Sequence, residues 1–239
     1  MPSSTPRRVL YLAVAVIIAA WALAFAETVF HLVDLRGLLR LDLQENLLRT
    51  SLVLLAKAAI LVGFVYGVLR LSRQRHGALG FEGRRLGRQI AVGGLFGLGI
   101  FVLETFLLSP VLEAVFPRSA AEDKTMAALL SSAANLPLLL ALGILKGGFV
   151  EEYWRIFVLT RFEAAFRRPG LIVALLVGSV VFGLGHSYQG TAAIYSIAIV
   201  GLAYAGVYLR RRRAIEAMAA HATYDVVAIL LGFLMYRQG

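Results

Sequence analysis

The sequence predicts an all-α, polytopic transmembrane helical bundle, and three observations carry that expectation. Hydrophobic residues make up 59% of the 239, and the mean hydropathy is +0.78; soluble domains run about 45–50% apolar. Several apolar runs are long enough to cross a bilayer, for which about 18 residues with few charges suffice. The basic residues gather in short stretches between those runs, as loops on the cytoplasmic side do. The runs are continuous rather than alternating, which argues against a β-barrel.

The elements follow in order. Arg7 and Arg8 precede an apolar run from Val9 to Ala26, the first span. Its end, Ala24-Phe25-Ala26, also has the small-residue pattern of a signal-peptide cleavage site. The length of the run and the spans after it favour an uncleaved helix. Residues 27–50 mix charges with repeated leucines and read as an amphipathic interfacial helix. The second span is about Ser51–Leu71. The next loop carries Arg73, Arg75, Arg84, Arg85 and Arg88, the strongest cytoplasmic marker. The third span is about Gln89–Leu108, and 109–125 reads as an outward loop.

Region 126–168 is too long for one crossing and awkward for two. Two crossings would put Arg167/Arg168 and Arg210–Arg213 outside, against the charge rule. A short interfacial helix at about 120–133 resolves this. A crossing helix over about 137–166 then starts at Pro137, since proline suits the first helical turn. Further spans fall at about 170–187, 191–209 and 214–236. The expectation is seven spans, with eight as the alternative. The chain divides into N-terminal spans with an amphipathic segment (1–125) and a core (126–239), within one membrane domain.

The net charge of +10 suits anionic lipid headgroups and not nucleic acid, which would need a solvated basic face. There is no cysteine, hence no disulfide, thiolate nucleophile or zinc–thiolate site.

Ionisable residues inside membrane spans are functional candidates by default. They fall mainly in "VEEYWR" (Glu151, Glu152, Arg155), "FGLGHSYQG" (Phe182, His186) and "HATYD" (His221, Asp225). Helix rise places Glu151 about 24 Å from Arg167 and His186 about 27 Å from Arg168, so the two can lie level on antiparallel helices. His221 is only about 12 Å beyond Arg213, and needs a tilt or a protruding basic cluster to match. His221 and Asp225 share a helix face. Glu151 and Arg155, also four apart, can neutralise each other, which leaves Glu152 without an obvious partner. A carboxylate beside an imidazole away from bulk water suits activation of a water molecule. Two histidines plus a carboxylate are also a recognised zinc set, with His186 and His221 as ligands. Lys57, Glu104 and Lys146 read as structural or interfacial, since lysines near helix ends reach the headgroups.

In this order, Glu151-Glu152…Arg155, Phe182…His186 and His221…Asp225 resemble the motifs of the CPBP (Abi, or type II CAAX prenyl protease) family of intramembrane proteases. The stretches "RIFVLTRF", "VVFGLGHSYQG" and "GLAYAGVYLRR" resemble its flanking segments. The resemblance covers about 130–236. It implies a catalytic core over 126–239 and endoproteolysis of a membrane-embedded or lipidated substrate in a bacterial inner membrane; the arginine clusters put the N-terminus on the cytoplasmic side. It also implies that a glutamate of the pair and His186 activate water. His221 and Asp225 would stabilise the oxyanion, and Arg155 would hold the glutamates. Zinc or another divalent metal is left open. Some family members are linked to bacteriocin immunity, so a non-catalytic scaffold is the alternative. The family spacing is Glu-Glu-x-x-x-Arg, whereas two residues intervene here. Anchoring on the glutamates makes Glu151 catalytic; anchoring on Arg155 makes Glu151 the supporting one. The family also favours asparagine where Asp225 stands, and an ionised aspartate cannot donate to an oxyanion.

Overall fold

The computed structural model describes residues 6–34 and 47–237. It is an all-α membrane bundle. The helices are α1 (Arg7–Thr28), α2 (Leu47–Leu71), α3 (Leu86–Leu103), α4 (Ser109–Val115), α5 (Ala120–Leu130), α6 (Leu136–Leu142), α7 (Glu152–Leu184), α8 (Thr191–Arg211) and α9 (Ala214–Arg237). Two π-helical segments, Glu104–Leu108 and Gly143–Glu151, join α3 to α4 and α6 to α7. Half of the expected amphipathic segment at 27–50, residues 35–46, lies outside the described residues.

Six helices among the described residues are long and apolar enough to cross a membrane. The sequence reading counts seven, and the difference lies in Leu136–Leu184, one stretch of 49 residues. It is not straight. Arg167 adopts φ 61°, ψ −147°, outside the helical region and costly for a residue with a Cβ. Pro169 follows, lacking an N–H and crowding the residue before it. The stretch folds back there. Trp21 of α1 packs on Phe162 with ring centroids 5.0 Å apart, and the same indole lies beside Gly178. Along a straight helix those two residues would stand about 24 Å apart. The expected break between 166 and 170 is therefore present. The helix start at Pro137 also holds: Pro137 stands in the first turn of α6. The outward loop expected from 109 does not begin there, because the helix continues through the π segment and α4 to Val115.

The core is built on α7, with α1, α8 and α9 around it; Ile17, Phe157, Tyr204 and Ala217 are among its fully buried side chains. Large apolar residues such as Ile60, Leu95 and Phe106 cover the outside, as lipid-facing positions do. Helix α9 packs closely on α3 through Gly93 and Gly97. A Cβ on either would collide with α9 backbone, at the Glu216 and Ala220 carbonyls. Small residues four apart allow this approach where lipid supplies no hydrophobic drive. Gly143, Gly147 and Gly148 serve the same end on the other side of α9: added Cβ atoms would meet Asp225 or Ala222. Two glycine faces thus seat the helix that carries His221 and Asp225.

The depth mismatch noted for His221 also resolves. Arg212 makes a two-point ion pair with Glu163, at 2.6 and 2.8 Å. The turn before α9 is level with Glu163, about a helical turn short of Arg167. From those levels Glu152 and His221 are within a few ångströms of the same height, by a rise of 1.5 Å per residue.

Candidate active site

The π segment Gly143–Glu151 ends at the glutamate pair and sets which way each one faces. In a π turn the backbone bonds residues five apart, and Lys146 is ion-paired with Glu151, five residues on. Glu152, the first residue of α7, instead turns into the bundle and is fully buried. Arg155 pairs with Glu152. The Glu151–Arg155 pairing expected from α-helical spacing is therefore replaced, and the glutamate thought to lack a partner has two. The second is His221, whose Nδ1–H donates to Glu152 Oε1 at 2.8 Å. Arg155 is held further between aromatic faces, 4.3 Å from the Phe182 ring centroid and 5.5 Å from that of Tyr204. Tyr204 also stacks on His221 at 4.4 Å.

Glu151 faces a cavity of about 620 Å³, whose lining also includes Lys146, His186, His221 and Asp225 among mostly apolar side chains. His221 Nε2 stands 3.8 Å from Glu151 Oε2 and 3.6 Å from Asp225 Oδ2. His186 lies in the turn between α7 and α8, its Nδ1–H donating to the Phe182 carbonyl at 2.9 Å. A carbonyl only accepts, so Nδ1 carries the proton and the neutral ring has a bare Nε2. The carboxylate of Glu152 imposes the same tautomer on His221. Burial pushes the His186 imidazole below the ordinary histidine value, which keeps it neutral at neutral pH. Phe182 packs edge-on against both rings, at 4.9 Å from His186 and 5.7 Å from His221.

The three sequence clusters thus meet at one cavity. Lys146, for which the sequence suggests a structural or interfacial place, lines the cavity. Its signal was present, a lysine five residues before the glutamate, but only a π backbone brings those two together. Glu104, the other membrane carboxylate, lies apart from the histidines and accepts bonds from Ser109 and Ser196 at 2.5 and 2.6 Å. Lys57 is exposed on α2.

As arranged, the donors do not fit a divalent ion. Among the described residues no three His, Asp or Glu groups stand together as a metal-holding set. The Lys146 ammonium sits on the carboxylate that such a set would need.

No curated protein and no solved structure matches the chain. Residues 132–227, which hold all three clusters, match the family model described as type II CAAX prenyl endopeptidase Rce1-like. The likeness is to this segment, about two fifths of the chain.

Proposed function

We propose that the protein is an intramembrane endopeptidase in which Glu151 activates water against a peptide bond of a membrane-associated or lipidated substrate. The observation that carries this reading is the different surroundings of the two glutamates. Glu152 is tied to Arg155 and His221, while Glu151 opens on a cavity it shares with His186 and with His221, whose Nε2 stands 3.8 Å from it. A water molecule fits the chemistry of that gap. It donates one hydrogen to Glu151 and the other to a bare Nε2, and a lone pair is left for the substrate carbonyl. General-base help of this kind contributes about 10²–10⁴-fold. Glu152 and Arg155 act as positioning residues by fixing the tautomer and orientation of His221. Phe182 holds the two imidazoles apart.

With Nδ1 committed to Glu152, a neutral His221 has no proton to offer an oxyanion, so we assign it to the water rather than to the carbonyl oxygen. Asp225 stands beside His221 on the same helix face, 3.6 Å from its Nε2. The apolar lining suits a lipid-bearing or hydrophobic segment entering from the bilayer. In the membrane we propose seven crossings, with Leu136–Leu184 contributing two by its reversal at Arg167. The N-terminus then lies in the cytoplasm of a bacterial cell, and every arginine cluster falls on that side.

The test is cleavage of lipidated and apolar peptides by protein purified in lipid discs. Wild-type protein should cleave, and the Glu151→Ala and His186→Ala variants should lose at least 10²-fold in rate. Equal rates in all three would remove the enzyme assignment.

A further inference from the structure

We propose that Lys146 is a further catalytic residue, the donor that stabilises the oxyanion formed at the scissile carbonyl; this rests on the endopeptidase reading above. An inventory of the cavity leads to it. Tetrahedral intermediates of acyl transfer need donors aimed at the charge that develops. Glu151 and Asp225 only accept when ionised. Both histidines spend their N–H on protein acceptors. Arg155 is the one other cation of the lining, and it is tied to Glu152 and clasped by two aromatic rings. Lys146 remains. It is part-exposed to the cavity, with its ammonium on one oxygen of Glu151, Oε1, while Oε2 faces His221. An ammonium has three N–H donors, so pairing with Glu151 leaves others for a carbonyl oxygen.

The geometry separates the work of the two carboxylate oxygens. Oε2 takes the water, and Oε1 keeps the lysine beside it, so nucleophile and electrophile are held next to one another. In the step, the water oxygen bonds to the carbonyl carbon and a proton passes to Glu151. The carbonyl π pair moves onto oxygen, which receives an N–H from Lys146. On collapse the C–N bond breaks, and the proton on Glu151 passes to the leaving amine. Lys146 stays protonated throughout. Its presence also answers the substitution of asparagine by Asp225: the donor that an ionised aspartate cannot supply comes from the neighbouring π segment, whose Gly147 lies against the Asp225 carboxylate.

The experiment uses full-length protein in lipid discs, a lipidated peptide substrate, and a phosphinate peptide that presents the tetrahedral oxyanion. Lys146→Met should lower kcat by about 10²–10³-fold, the loss typical of one oxyanion donor, with KM changed far less. Lys146→Arg should recover part of the rate. Wild-type protein should bind the phosphinate more tightly than the matching amide, and Lys146→Met should lose that preference. If Lys146→Met keeps wild-type kcat while Glu151→Gln is inactive, the lysine assignment fails and the endopeptidase reading stands. If wild-type protein neither cleaves nor prefers the phosphinate, both fail.

Discussion

Among the described residues two glutamates are fully buried and paired with arginine, and they differ in what lies beside them. Glu216, in the first turn of α9, is reached by Arg210, Arg211 and Arg213 at 3.0, 3.9 and 3.4 Å. All three arginines are part-exposed at the mouth of a loop. Glu152 has one guanidinium and one imidazole, both sealed inside the membrane region. The first arrangement has several partners that can substitute for one another. The second has partners that cannot be replaced, and one of them carries an Nε2 into a cavity. Burial of a carboxylate is therefore no sign of chemistry by itself. The open carboxylate next in sequence, Glu151, distinguishes the site from the structural pair.

The sharpest way to break this comparison is to remove the guanidinium of the sealed pair. Arg155→Met leaves Glu152 charged without its cation. Breaking a buried pair in this way costs about 3–5 kcal/mol, so the thermal midpoint in lipid discs should fall steeply and cleavage should vanish.

Gly147→Ala comes next. Its new Cβ would collide with the Asp225 carboxylate. A displacement of about 1 Å near reacting groups can cost about 10²-fold. The rate should drop by that order, while stability changes by about 1–3 kcal/mol, as for overpacking. Glu216→Gln tests the other side of the comparison. It should cost about 1–3 kcal/mol, the range for a buried group losing partners, and leave the rate per folded molecule unchanged.

The smallest effect is on pH dependence. Burial disfavours the charged ring of His186 and lowers its pKa. The neutral form is the active one in this account, so activity is retained above that pKa and lost as pH falls through it. The acid limb of the rate profile should lie below about 6.5, the ordinary histidine value. A limb above that value would set His186 apart from the water-activating group.

Much of this was legible in the sequence because it rests on local rules. The reversal near Arg167 follows from Pro169 and the arginine pair, and the start of α6 from Pro137. The three polar clusters stood out because charge in a membrane span demands a reason. What was not legible depends on the backbone of one segment. Whether Gly143–Glu151 winds as α or π is settled by packing its glycines against α9, which no local pattern specifies. That choice reverses the roles of neighbouring residues. With α spacing, Glu151 would meet Arg155; with the π segment, Glu151 meets Lys146 and Glu152 takes the arginine. It also changes how the short Glu-Glu-x-x-Arg spacing reads. Neither linear alignment includes the extra turn width that lets Glu151 face the cavity and Glu152 support it.

The most direct test compares Glu151→Gln with Glu152→Gln, measuring thermal midpoint and cleavage rate on the same preparations. This account predicts that Glu151→Gln keeps a near-wild-type midpoint and loses cleavage. Glu152→Gln should lower the midpoint as well as the rate. A Glu151→Gln protein that still cleaves, beside a stable and inactive Glu152→Gln protein, would contradict it.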